Sequence, residues 1–247
     1  MALDLEREAS KVGLKINTNK TKVLSPPLRK RNPTPIAINI NGQPVEKVDN
    51  FVYLGSIVAE NGGTEQDIAR RINQAKRAYG MLSKIWQGSY LSIKTKLGLF
   101  RSLVLSVLLY GSSTWKVSVG VTRKLQVFVN SCLRRILRIF WPETISNEEL
   151  SRRTGQMPID ELIRRRKWQW IGHTLRKSDN CIAMHAMKWN PISNQGRPRG
   201  GPRITWRRSV AKECQVLGKS FGELRPIAQN RVRWRAGVVD ALCPARG

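Results

Sequence analysis

Apolar positions along the chain change their period near Asn61-Gly62-Gly63. Before that point they form short runs at residues 15–24, 36–40, 45–48 and 51–58, divided by Pro26-Pro27, Pro33, Pro35 and Asn41-Gly42. Short apolar runs between turn-forming residues predict strands, and Asn-Gly between two of them predicts a hairpin. A charged, helix-like segment over residues 1–11 comes first. Beyond the glycine pair, Ile68, Ile72, Ala75, Tyr79, Leu82 and Trp86 recur every three or four residues, which predicts an amphipathic helix over 65–86. Thr64 and Asp67 give it a start resembling a capping box.

A second helix is expected over 92–110, closed by Gly111. A third, over 122–140, sets Leu125, Phe128, Val129, Cys132, Ile136 and Ile139 on one face and Lys124, Arg134, Arg135 and Arg138 on the other. Matched stripes predict a three-helix bundle. The Arg- and Trp-rich remainder predicts helices over 147–153, 159–176, 181–188, 204–216 and 227–241, with a Gly/Pro/Arg linker near 190–203. The expected fold class is α+β, mostly α: a small N-terminal β-hairpin region (1–60), a helical bundle (61–141) and a basic helical C-terminal region (142–247).

Charge narrows the function classes. Among 247 residues, 44 Lys+Arg face 17 Asp+Glu, a formal net charge of +27. Such self-repulsion calls for a polyanion, and nucleic acid, RNA or DNA, is the expected partner rather than a small-molecule substrate. At 40% hydrophobic residues the chain can still bury a core. The longest apolar stretch, 97–110, is too short to cross a bilayer and is broken by Arg101, and no signal-peptide pattern opens the chain. Cys132, Cys181, Cys214 and Cys243 form no C-x-x-C pair, so an intracellular protein with reduced thiols is expected, neither secreted nor membrane-spanning.

Basic residues at helical spacing suit phosphate contacts that grip without reading bases. Arg70, Arg71, Arg77 and Lys84 on the first long helix and Arg134, Arg135 and Arg138 on the third are the candidates, with a solvated face as the competing reading. On the helix over 159–176, Ile159, Leu162, Ile163 and Trp170 predict a buried stripe, while Arg164, Arg165 and Trp168 share the opposite face. A tryptophan beside two arginines suggests a stacking platform for bases, against packing on a neighbouring helix. His173, at the stripe's edge, reads as a hydrogen-bonded structural residue. His173, Cys181 and His185 lack a nearby fourth ligand short of Cys214, so no metal is expected. The segment Gly196-Arg197-Pro198-Arg199 reads as a linker or as an arginine hook for a narrow minor groove.

Gly13-Leu14-Lys15-Ile16-Asn17, continuing to Asn19-Lys20-Thr21-Lys22, reads as a glycine turn entering a basic strand. Followed by Phe51-Val52-Tyr53-Leu54-Gly55, it resembles the last two motifs of a reverse transcriptase palm. Leu109-Tyr110-Gly111-Ser112-Ser113-Thr114-Trp115, Cys132-Leu133-Arg134-Arg135-Ile136-Leu137 and Trp170-Ile171-Gly172-His173 resemble the region downstream of the polymerase in LINE-like, non-LTR retrotransposon proteins. Gly196-Arg197-Pro198 with Thr205-Trp206, and Ala228-Gln229-Asn230-Arg231, continue that resemblance in order. Ser113 and Asn230 stand where the pattern leads one to expect acidic residues, as in a copy that has drifted.

The resemblance implies the end of a palm, a thumb and a downstream region, with Met1 falling just past the catalytic strands. Lys20 matches the palm lysine that protonates pyrophosphate, with Lys22 beside it, and Phe51, Tyr53, Leu54 and Gly55 match the primer grip, a hairpin over 51–56 that would hold the primer end against the palm. Full-length relatives would copy RNA into DNA with Mg2+ and carry an upstream endonuclease, and the missing upstream part is an implied partner. This chain has no Asp-Asp pair: Asp4, Asp49, Asp67, Asp160, Asp179 and Asp240 are scattered. No polymerase activity and no cofactor are therefore expected of it. A host-adopted RNA- or DNA-binding adaptor and a decayed reading frame are the alternative readings.

Overall fold

The computed structural model describes residues 2–24, 38–40, 42–59, 64–188 and 206–244. The linker expected near 190–203, with Arg197 and Arg199, lies outside the described residues. The chain is mostly helical, with small antiparallel hairpins near its N-terminus. It divides into two compact units, residues 1–69 and 70–247. The second unit runs through Trp141, where composition had suggested a boundary.

In the first unit, α1 (Ala2–Lys11) ends in a turn at Gly13, whose φ of +74° suits a residue without a Cβ. The strand expected over 15–24 is absent. Asn17 instead takes hydrogen bonds from the Lys20 and Thr21 amides, and the segment pairs as a single bridge, Val23 with Lys47. The hairpin expected at Asn41-Gly42 is present as β1 (Asn39–Ile40) and β2 (Gln43–Pro44). The apolar run 51–58 folds as the hairpin that the primer-grip resemblance implies, with β3 (Asn50–Tyr53) against β4 (Ser56–Ala59) and Phe51 opposite Val58. Its two-residue loop, Leu54-Gly55, has φ of +48° and +82°, the mirror-image turn that matches strand twist.

The helix expected over 65–86 is α2 (Glu65–Met81) followed by α3 (Ser83–Gln87). In the first unit the Asp67 carboxylate accepts the Ile57 amide at 3.0 Å. The second long helix starts at Ser92, whose hydroxyl caps the Thr95 amide. It runs as α4 (Ile93–Leu99), a wider π-type turn over Phe100–Leu105, and α5 (Ser106–Leu108). A 3-10 turn, Ser112–Thr114, leads on to α6 (Val119–Ile136), which is capped by Ser118.

Then come α7 (Asn147–Thr154), capped by Ser146, and α8 (Ile159–Leu175). They are followed by α9 (Ile182–Lys188), α10 (Trp206–Val216), α11 (Leu224–Gln229), α12 (Arg231–Trp234) and α13 (Asp240–Leu242). Leu105, Leu108, Leu125, Val129 and Leu133 are buried along α4 to α6. The C-terminal core gathers on α8, where Trp168, Ile171 and Leu175 meet Met184, Val210, Leu224, Trp234 and Val238.

Candidate nucleic-acid interface

The predicted cations separate into those spent on structure and those left facing solvent. Lys22 pairs with Glu46, while Lys20 is exposed on its turn. On the hairpin, Tyr53 and Leu54 are exposed, and Phe51 and Gly55 are half-buried. On α2, Arg71 is buried, with its guanidinium 4.3 Å from the centre of the Tyr110 ring and a bond to Gln74. Arg70 is half-buried, whereas Arg77 and Lys84 are exposed.

Arg134 is a staple rather than a surface cation, donating to the Ile145 carbonyl at 3.2 Å and to Asn147 Oδ1 at 2.9 Å. Arg138 ends α6 in a left-handed conformation, φ +60°, and donates to the Gln87 carbonyl. Arg135 stays exposed.

The stacking platform expected on α8 does not form, because Trp168 is fully buried against the Trp234 ring, with ring centres 6.0 Å apart. Its indole N–H donates to Glu213 at 2.5 Å, and the same carboxylate pairs with Lys167 at 2.7 Å. Arg164 donates to the Leu242 carbonyl at 3.1 Å, and Arg165 pairs with Asp240 at 3.1 Å. The packing alternative holds for this face, which lies against the C-terminal segment. Trp170, assigned to the buried stripe, is half-buried, and His173 is exposed rather than structural. Among the described residues no cluster of His, Cys, Asp and Glu could hold a metal, and no helix is long and apolar enough to cross a membrane.

Of the predicted cations left facing solvent, Arg135 alone lines a groove between α2 and α6, with a volume of about 820 Å³. Ile72, Tyr79, Val127, Phe128 and Cys132 form its apolar lining, and Lys76, Arg123, Lys124 and Arg135 its basic one. No carboxylate lines it, and none of these four cations has an ion-pair partner among the described residues. From Arg123 to Arg135 the α6 wall extends roughly 18 Å at the rise of an α-helix.

Burial pushes the Cys132 thiol up to about 12, partly offset by Arg135. Tyr79 is likewise raised to about 12, first by burial and then by Cys132, so both stay protonated and neutral at neutral pH. As candidate contacts, the sequence reading missed Lys76, Arg123 and Lys124. Their signal was spacing: Lys76 lies four residues after Ile72 and three before Tyr79, on the shoulder of the apolar stripe.

The class defined by these features is a basic, mostly helical protein with a cation-lined groove. Compared with known proteins, the chain is similar to a Caenorhabditis elegans protein named a "putative uncharacterized transposon-derived protein", at 27% identity over 245 residues, covering 96% of this chain and 87% of that one. No family profile and no solved structure matches.

Proposed function

We propose that the chain is a transposon-derived nucleic-acid-binding protein, a remnant of a non-LTR retrotransposon reverse transcriptase. It holds RNA or DNA through phosphates and has no polymerase activity of its own. The observation that carries this reading is the α2–α6 groove, where four cations stand without an ion-pair partner among the described residues. Uncompensated cations around an apolar lining suit a strand whose phosphates meet the cations while its bases lie over Phe128 and its neighbours. The transposon-derived relative supports the element origin, and the ordered motif resemblance supports the reverse transcriptase assignment. The scattered aspartates leave no pair to hold two magnesium ions, so primer extension is not expected.

Affinity measured against salt tests the reading. Four phosphate contacts predict a slope of log K against log salt near −3.6 on duplex DNA and about −2.8 on a single strand. Lys76→Gln with Lys124→Gln should lower affinity without changing sequence preference and flatten the slope by about 2 units. A wild-type slope near zero, or a double variant with the wild-type slope, rejects the groove as the interface.

A further inference from the structure

A second cavity, of about 470 Å³, lies where the 3-10 turn after α5 meets α8. Its lining includes Arg166, Gln169, Ser112, Ser113 and Trp170, and among the described residues no carboxylate. Arg166 gives one N–H to the Leu109 carbonyl at 3.0 Å and has no ion-pair partner among the described residues. Partial burial lowers its affinity for its proton. Ser112 is 2% exposed, and its hydroxyl oxygen is enclosed without a hydrogen-bond partner. Trp206 holds the turn in place: it donates to the Ser113 carbonyl at 2.8 Å and meets the Trp170 ring edge-on.

A half-buried guanidinium with no carboxylate beside it among the described residues and an enclosed hydroxyl with no protein partner are both groups that an anion would stabilise. One ligand class satisfies them together. We propose that this cavity binds a phosphate group, with Arg166 as its cation and the Ser112 and Ser113 hydroxyls and the Gln169 amide as further donors. These donors come from two elements, the turn and α8, and a tetrahedral phosphate, with more acceptor oxygens spread in three dimensions, can engage more of them at once than a planar carboxylate can. The remaining volume admits the rest of an ester, so the source is either free phosphate or the phosphorylated end of a nucleic acid. The site is separate from the α2–α6 groove, and the two stand or fall independently.

The test uses the full chain at constant ionic strength, balanced with chloride. Inorganic phosphate is titrated by 31P line broadening and by its effect on Tm, with acetate as the planar control. A 5′-phosphorylated dinucleotide is compared with its 5′-hydroxyl form. Wild-type protein should bind phosphate at least tenfold more tightly than Arg166→Gln and than Ser113→Asp, which places a carboxylate inside the cavity. If Arg166→Gln does not fold, Ser113→Asp decides alone. Preference for the phosphorylated dinucleotide over inorganic phosphate identifies a nucleic-acid end, and equal binding identifies free phosphate. Titrations in which Ser113→Asp matches wild type, or acetate matches phosphate, overturn the proposal. Loss of phosphate binding in Ser113→Asp with oligonucleotide affinity retained supports this site whatever becomes of the groove.

Discussion

Gly172 sits inside α8 with no turn or cap to require it, and the structure supplies a reason for it that can be measured. A Cβ at this position would fall 2.2 Å from Nε1 and 2.4 Å from Cε2 of Trp234. That indole cannot easily withdraw. It is 3% exposed, packed in the C-terminal core, and donates its N–H to the Trp168 carbonyl at 3.1 Å. By helix propensity alone Gly172→Ala should stabilise by about 1 kcal/mol. Against this stand overpacking, about 1 to 3 kcal/mol, and a weakened indole hydrogen bond, about 0.5 to 1.5 kcal/mol.

The net expectation is therefore a loss of about 0.5 to 3.5 kcal/mol, opposite in sign to propensity. Urea unfolding followed by tryptophan fluorescence measures it. Trp234→Leu removes the obstructing ring, and in that background Gly172→Ala should become neutral or stabilising, giving a coupling between the two sites in a double-mutant cycle. An increase in the urea midpoint on Gly172→Ala alone, or equal effects in both backgrounds, would refute the close contact between α8 and Trp234.

Trp168→Ala should cost about 3 to 5 kcal/mol of stability and leave the nucleic-acid affinity of the folded fraction unchanged; a variant with an intact melting curve and weakened single-strand binding would return this residue to the surface. Stability should also fall as pH rises above 9. There the unfolded chain releases the Cys132 proton that the folded chain keeps until about 12, and Tyr79 adds to the effect from pH 10. Unfolding midpoints between pH 8 and 10.5 should decline for wild type and decline less for Cys132→Ala, and parallel profiles would exclude the buried thiol as a cause.

Helical spans were legible because serine caps and three-to-four spacing are local signals. Predicted helices at 92–110 and 147–153 begin where Ser92 and Ser146 cap the chain. Other features leave no such trace. The wide turn over Phe100–Leu105 keeps an apolar sequence, so spacing does not separate it from α-helix. The turn at Leu54-Gly55 is hidden inside an apolar run, because leucine rarely adopts positive φ, and only the primer-grip resemblance points to a hairpin there. On α8 the one-stripe reading failed for a stronger reason. The helix is covered on more than one side, so Arg165 and Trp168 look exposed by local pattern while their partners, Asp240 and Glu213, lie 75 and 45 residues away.

Those distant carboxylates also decide where the charge excess is felt. Seventeen acidic residues cannot match 44 basic ones, but composition leaves open which cations go without. Glu213 serves Lys167 and the Trp168 indole, Asp240 serves Arg165, Asp179 serves Arg225, and Glu149 serves Arg152 and Arg153. Each of these pairs lies at or beyond α7, on the C-terminal side of the chain. None reaches Lys76, Arg123, Lys124 or Arg135. These acids therefore fasten the half of the second unit that is densest in arginine and tryptophan, and the four groove cations are left without a carboxylate partner among the described residues. A reading based on counting arginines points to α8; a reading based on where the carboxylates are used points to α2 and α6. Placing a carboxylate at the groove, as in Val127→Glu, should therefore weaken oligonucleotide binding more than the same exchange at Val216 on α10, which is even more open to solvent but lines neither cavity. Equal losses at the two positions would mean that binding follows net charge alone and that the groove has no special part in it.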